Sequence, residues 1–246
     1  MKITFLGTNG WYDTETGNTV CVLVETETEY LILDAGNGFY KIDRHITTRK
    51  PIHLFLSHFH LDHIVGLHIL NKFHFPQGID IYGVRGLKKY LTAIIRQPFT
   101  APIRALKTPV RLHELQPKMS LPFPVAYKKL LHVSPCYGYR FKLENKTIAF
   151  CTDTGICKNL YLLAREADLL IAECGYLSGQ SEPGWPHLNP ESAAQVAREA
   201  RVRRLALIHF DASLYKTLQH RAKAERVARK IFPKTQAARD NLRIIL

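Results

Sequence analysis

Apolar residues recur along this chain in short, separated runs whose spacing changes from one run to the next. Ile3–Leu6, Val20–Val24, Tyr30–Leu33 and Ile52–Leu56 are rich in apolar or β-branched residues and separated by short turns, so each predicts a strand. Just beyond the last run, Ile64, Leu67 and Leu70 fall at helical spacing, which predicts a helix beginning near His63 with its apolar face on the sheet. From Gln97 to Pro124 the pattern fades. Pro98, Pro102, Pro109, Pro117, Pro122 and Pro124 interrupt it, while Arg96, Arg104, Lys107 and Arg111 add positive charge. This stretch reads as an ordered surface loop, either a solvated connector or a phosphate grip.

The second half repeats the theme, with strands expected at Val125–Leu131, Tyr139–Lys142, Thr147–Cys151, Leu169–Ala172 and Leu205–Ile208. Asn189 followed by Pro190 and Glu191 has the chemistry of a helix start, and Ala193, Val196, Ala197 and Ala200 then line one face. A last helix is expected near Leu214–Phe232, stopped by Pro233. The pattern is therefore mixed α/β. Strands and helices occur in both halves, which fits two sheets of one sandwich in a single domain over residues 1–246.

Composition narrows the function. A 46% hydrophobic content over 246 residues is enough for a large core. Charged residues or histidine interrupt every hydrophobic segment, so no membrane-spanning helix is expected. The N-terminal residues read as a strand rather than a signal peptide, and a cytoplasmic location is expected. Cys21, Cys136, Cys151, Cys157 and Cys174 are odd in number, scattered and without paired spacing, as reduced thiols would be. The formal charge of +13 suits a polyanionic partner or, equally, a solvated basic surface.

The strongest chemical signal is Ser57-His58-Phe59-His60-Leu61-Asp62-His63, directly after a strand. An extended segment points His58 and His60 to the same side, while Asp62 and His63 fall at the following helix start. Neutral imidazole and carboxylate suit zinc and similar divalent ions. Isolated candidates follow later apolar runs: His132, Asp153 and His209. Each alone reads as a structural residue, but their shared placement at strand ends predicts a cleft built for ligands.

These residues resemble the metallo-β-lactamase superfamily, and within it the ribonuclease Z-like branch. The similarity spans nearly the whole chain: Phe5-Leu6-Gly7-Thr8, Leu33-Asp34-Ala35-Gly36, the histidine motif, Gly138-Tyr139-Arg140-Phe141, Thr152-Asp153-Thr154 and Leu207-Ile208-His209-Phe210. The resemblance implies an αββα four-layer sandwich and two divalent metal ions, zinc first, with manganese or iron as alternatives. It implies that His58, His60 and His132 hold one ion, that Asp62, His63 and His209 hold the other, and that Asp153 bridges them. Asp34 resembles a carboxylate that orients a ligand histidine, or is a plain buried turn residue. His187 resembles a histidine that precedes a capped helix and serves as general acid or phosphate ligand, with Asp62 also in the catalytic set. Relatives of the branch are often dimers, although no exposed stripe here shows a homodimer.

Two departures count against tRNA 3′-end processing. The interval between His132 and Asp153, where the tRNA enzymes commonly insert an RNA-gripping arm, is short and holds only a strand hairpin around Leu143–Lys146. The early loop Trp11–Asn18 lacks the basic residues of those enzymes. The expected function is thus phosphodiester hydrolysis on RNA or on small or cyclic diesters. Hydrolysis of another ester class (lactone, thioester or aryl sulfate) and nucleic-acid binding with a disused site remain the other readings. Trp11, Tyr12 and Trp185 either line the cleft and stack on a base or cover the edge of the core.

Overall fold

The computed structural model describes residues 1–117 and 119–246. The N-terminal half supplies β1 (Lys2–Gly7), β2 (Asn9–Gly10), β3 (Cys21–Glu25), β4 (Tyr30–Leu33), β5 (Ile52–Phe55), β6 (Ile79–Gly83) and β7 (Val110–Glu114). The C-terminal half supplies β8 (Val125–Lys129), β9 (Tyr137–Leu143), β10 (Lys146–Cys151), β11 (Leu169–Glu173), β12 (Leu205–Ile208), β13 (Phe210–Asp211), β14 (Thr235–Ala237) and β15 (Arg243–Ile245). Among the described residues the α-helices are α1 (Leu61–Ile64), α2 (Leu87–Ile94), α3 (Lys158–Ala164), α4 (Pro190–Glu199) and α5 (Leu218–Ile231).

One sheet runs β15-β1-β3-β4-β5-β6-β7 and the other β14-β12-β11-β10-β9-β8. Period-two alternation separates the layers: on β3, Val22 and Val24 enter the core between the sheets, while Cys21 and Leu23 face the outer layer. The central core interleaves Phe5, Leu33 and Phe55 from one sheet with Phe141, Phe150 and Ile171 from the other, all fully buried or nearly so. Truncating one of these rings to alanine would cost about 3–5 kcal/mol. Helices α3, α4 and α5 cover the outer face of the second sheet, and α2 with two 3₁₀ segments, Asn37–Arg44 and Val65–Lys72, covers the first. The result is the expected αββα sandwich.

Strands β4 to β7 are mutually parallel, as are β10, β11, β12 and β14. Their carboxyl ends therefore gather at a common edge, where an open sheet exposes unpaired backbone and leaves room for ligands.

Two segments differ from the sequence reading. The helix expected near His63 is one α-turn followed by 3₁₀ backbone. The His63 carbonyl accepts from the Ala35 N–H (2.8 Å) and the Gly66 N–H donates to the Ala35 carbonyl (2.8 Å), so two groups of the α-helical ladder are committed to the neighbouring chain. The basic, proline-rich stretch 97–124, of which residue 118 lies outside the described residues, is not only a loop. It contains β7, the edge strand parallel to β6. Arg111 and His113 on that edge bond Asp80 of β6, at 2.6 and 2.7 Å, so part of the stretch's charge is neutralised within the sheet.

Candidate metal centre

Asp34 follows β4 in a left-handed conformation (φ 57°) and is completely buried. Its carboxylate accepts from the Ser57 N–H (2.7 Å), the Ser57 hydroxyl (2.8 Å) and Nδ1–H of His63 (2.7 Å). One buried acid thereby fixes both ends of the histidine motif. Because the Ser57 hydroxyl donates to Asp34, it accepts from Nδ1–H of His58 (2.9 Å), which leaves Nε2 of His58 as a bare lone pair. That Nε2 is buried without a hydrogen-bond partner, an arrangement that costs free energy unless something electrophilic occupies the space before it.

The bare nitrogens converge on Asp153, which follows β10 with φ 47°. Asp153 Oδ2 lies 3.7 Å from His58 Nε2, while its Oδ1 lies 3.2 Å from Nε2 of both His63 and His209. His63 and His209 approach to 3.2 Å, and Asp62 Oδ2 is 3.4 Å from His63 and 3.3 Å from His209. Bonds of 2.0–2.1 Å to a tetrahedral zinc put neighbouring donor atoms about 3.3 Å apart. The separations around His63, His209, Asp62 and Asp153 match that edge length. On the other side, His60 Nδ1 and His132 Nε2 are 3.4 Å apart, and Nε2 of His60 is held by the Ser134 hydroxyl (3.0 Å). His58, His60, His132 and Asp153 thus form one donor group and Asp62, His63 and His209 another. All seven residues expected from the sequence are brought together, and the donor chemistry fits a pair of divalent ions.

Electrostatics agree with that fit. Burial pushes His132 down to about 4 and lowers His58 and His60, so these imidazoles are neutral and offer lone pairs. Burial also opposes charge on His63 and His209, but Asp153 together with Asp62 outweighs it and raises both. The carboxylates that would hold a proton there equally favour a cation. Asp62 and Asp153 resist burial because the imidazoles beside them hold both carboxyls far below the usual range.

His187 lies beside this cluster, its ring 5.6 Å from that of His132 and 5.9 Å from that of His209. Asn189 positions it: the Asn189 side chain accepts from the Ser192 N–H and Ser192 returns a bond to the Asn189 N–H, closing a capping box at the start of α4. Glu173, at the end of β11 and fully buried, accepts from His187 Nδ1 at 2.8 Å and from the N–H groups of Gly175 (3.2 Å) and Thr154. Burial works against a charged His187, but Glu173 pushes it up to about 9. The sequence reading missed Glu173. The available signal was an acid directly after the apolar run Leu169–Ala172, the same placement that exposed Asp153 and His209.

The turn between β9 and β10 is a tight hairpin with Glu144 and Asn145 both at positive φ, so no arm is inserted between His132 and Asp153.

Fold and donors define a class: a four-layer sandwich with clustered histidines and aspartates at the carboxyl edge of its strands. Residues 30–210 match the beta-lactamase superfamily domain, and the chain belongs to that family. A ribonuclease Z of Synechocystis is 29% identical, over 99% of this chain and 94% of its own. That alignment runs to 307 positions against a chain of 246 residues, so the relative carries segments without a counterpart here. Among solved structures, the fold resembles the metallo-beta-lactamase fold protein YhfI of Bacillus subtilis (TM-score 0.82, 22% identical, covering 99% of this chain and 98% of that one). It also resembles the short form of human tRNase Z (TM-score 0.76, 24% identical, covering 100% and 99%).

Proposed function

We propose that residues 1–246 form one domain that hydrolyses phosphodiesters with two divalent cations, zinc first among them and manganese or iron as alternatives. The observation that carries this reading is the sharing of Asp153, whose two oxygens address different donor groups. His58, His60 and His132 would hold one ion and Asp62, His63 and His209 the other, with Asp153 shared between them. When bound, the pair supplies Lewis acidity that yields a nucleophile from water near neutral pH and offsets charge on the phosphate. His187 donates a proton to the departing ester oxygen. Its Nδ1–H stays on Glu173, which keeps Nε2 as the donating atom. Asp34 acts on the reaction through His63, by fixing which ring nitrogen faces the ion.

The ribonuclease Z names of the relatives favour a phosphodiester, and the absent arm favours RNA ends or small diesters over a whole tRNA. The cysteines are all free and four of the five are buried, which suits the reducing cytoplasm.

Hydrolysis of bis(p-nitrophenyl) phosphate by the zinc- or manganese-loaded protein tests the reaction. Turnover is expected, is abolished in Asp153→Ala, and falls roughly 10²- to 10⁴-fold in His187→Ala, which retains its metal. Near-normal rates in both variants would refute the assignment. Two bound ions without turnover would shift it to carbonyl or sulfate esters.

A further inference from the structure

The chain contains two tryptophans, Trp11 and Trp185, and both border the cavity of about 260 Å³ that holds the candidate metal centre. Neither is spent on the core: Trp11 is 66% exposed and Trp185 48%. Exposed aromatics are ordinary singly, but two indole rings on the rim of one cleft offer flat faces to a bound ligand.

Each tryptophan sits beside a different donor group, Trp11 beside Asp62 and Trp185 beside His132. The Trp11 N–H donates to Asp62 Oδ2 (2.8 Å), and its backbone sits at φ 72°, a conformation that side chains other than glycine rarely adopt. The surrounding loop is braced from behind. Asn9 Nδ2 donates to the Tyr12 carbonyl and the Thr14 hydroxyl, each at 3.0 Å, while the buried Arg221 guanidinium donates to Asn9 Oδ1 and, at 2.8 Å, to the Thr8 hydroxyl. Trp185 lies 6.3 Å, ring to ring, from both His132 and His187, and its carbonyl accepts from the Tyr176 hydroxyl at 2.6 Å. The backbone that carries each ring is thus tied down next to the groups that would bind and cleave the phosphate.

The charge of the walls limits what else the ligand carries. Among the described residues no lysine or arginine borders the cavity. Asp211 does border it, with its Oδ1 occupied by the N–H (2.7 Å) and hydroxyl (2.6 Å) of Ser213. Outside the metal centre the cationic side chain of the cavity is His187, which the leaving oxygen engages, and Asp211 is an acid, so a second phosphate would find no counter-charge to spare.

Resting on the phosphodiesterase reading above, we infer that Trp11 and Trp185 form an aromatic clamp that selects small, singly charged phosphodiesters bearing a nucleobase or comparable flat ring, rather than polyanionic RNA chains. Stacking on a tryptophan face supplies affinity for any flat ring, whatever its hydrogen-bonding pattern.

Because the chain has no other tryptophan, intrinsic fluorescence reports on this clamp directly. Zinc-loaded protein is titrated with adenosine 3′,5′-cyclic phosphate and, as a ring-free control, with dimethyl phosphate. The nucleotide is expected to quench emission and to bind at least about tenfold more tightly than the control. Trp11→Ala and Trp185→Ala should each weaken it by a similar factor without changing zinc content. Equal affinity for the two phosphates, unchanged nucleotide affinity in both variants, or tighter binding of a single-stranded oligoribonucleotide that neither substitution affects, would overturn the clamp. Quenching lost with the rings in a protein that fails to hydrolyse bis(p-nitrophenyl) phosphate supports the clamp and refutes the phosphodiesterase reading. Hydrolysis without quenching does the reverse.

Discussion

The carboxylates behind the histidines carry as much of the chemistry as the histidines themselves. Asp34 and Glu173 are both fully buried, and each takes Nδ1–H of one imidazole, His63 and His187 respectively. Asp34 was legible because it sits in Leu33-Asp34-Ala35-Gly36, whereas the one sequence signal for Glu173 is its place after the apolar run Leu169–Ala172, and its partner His187 is brought beside it only by the fold. Glu173 is also the residue whose role pH can reveal. As the proposed general acid His187 would donate a proton only as imidazolium, so the activity that depends on it would be present below its pKa and lost as pH rises through it. Glu173 raises that pKa, and removing the negative charge must lower it. Glu173→Gln is expected to move the alkaline limb of kcat to lower pH with two ions still bound; an unmoved limb would mean that another group sets it.

At the scale of elements, the short strands with long apolar runs were readable because strands buried on both faces show little alternation. The edge strand β7 was not. Its alternation, Val110-Arg111-Leu112-His113-Glu114, is half solvated and lies among prolines, so local sequence resembles a connector while pairing with β6 decides the outcome. Strand β6 and helix α2 also went unread, although Leu87, Leu91 and Ile94 of α2 fall at helical spacing; the two-residue β2 is too short for any periodicity and is defined by its pairing with β13. Strand β2 nonetheless shapes the site. A Cβ on Gly10 would lie 2.6 Å from the His209 ring, so the ring would have to leave its place between Asp62 and Asp153. Gly10→Ala should therefore fold, displace His209 and weaken the ion held by Asp62, His63 and His209. Metal analysis and circular dichroism check this. Unchanged zinc affinity would show that the ring has another place to go.

For the whole molecule, the αββα architecture followed from residues that the chain separates widely: β15 pairs with β1, and the central core draws on both halves. A formal +13 suited a polyanion or, equally, a solvated basic surface; the cavity walls contain no lysine or arginine among the described residues, and Arg203, Arg204, Arg229 and Lys234 border a separate surface groove. A sum over the chain says nothing about where its charges lie. The donors themselves come from loops after β5, β8, β10 and β12, so two ions bound at that edge would staple both sheets together. Each site would add about 4 kcal/mol at a thousandfold excess of metal over its Kd. Stripping metal with a chelator should lower Tm, and returning zinc should restore it. A Tm indifferent to zinc would mean that the sheets do not depend on the centre.

Whether one aspartate serves two ions can be read from the zinc content per chain, measured by mass spectrometry on wild-type protein and on Asp153→Ala. Two zinc ions are expected in the wild type, with both lost in a variant that stays folded. A single ion in the wild type, or two that survive the substitution, would overturn the sharing of Asp153.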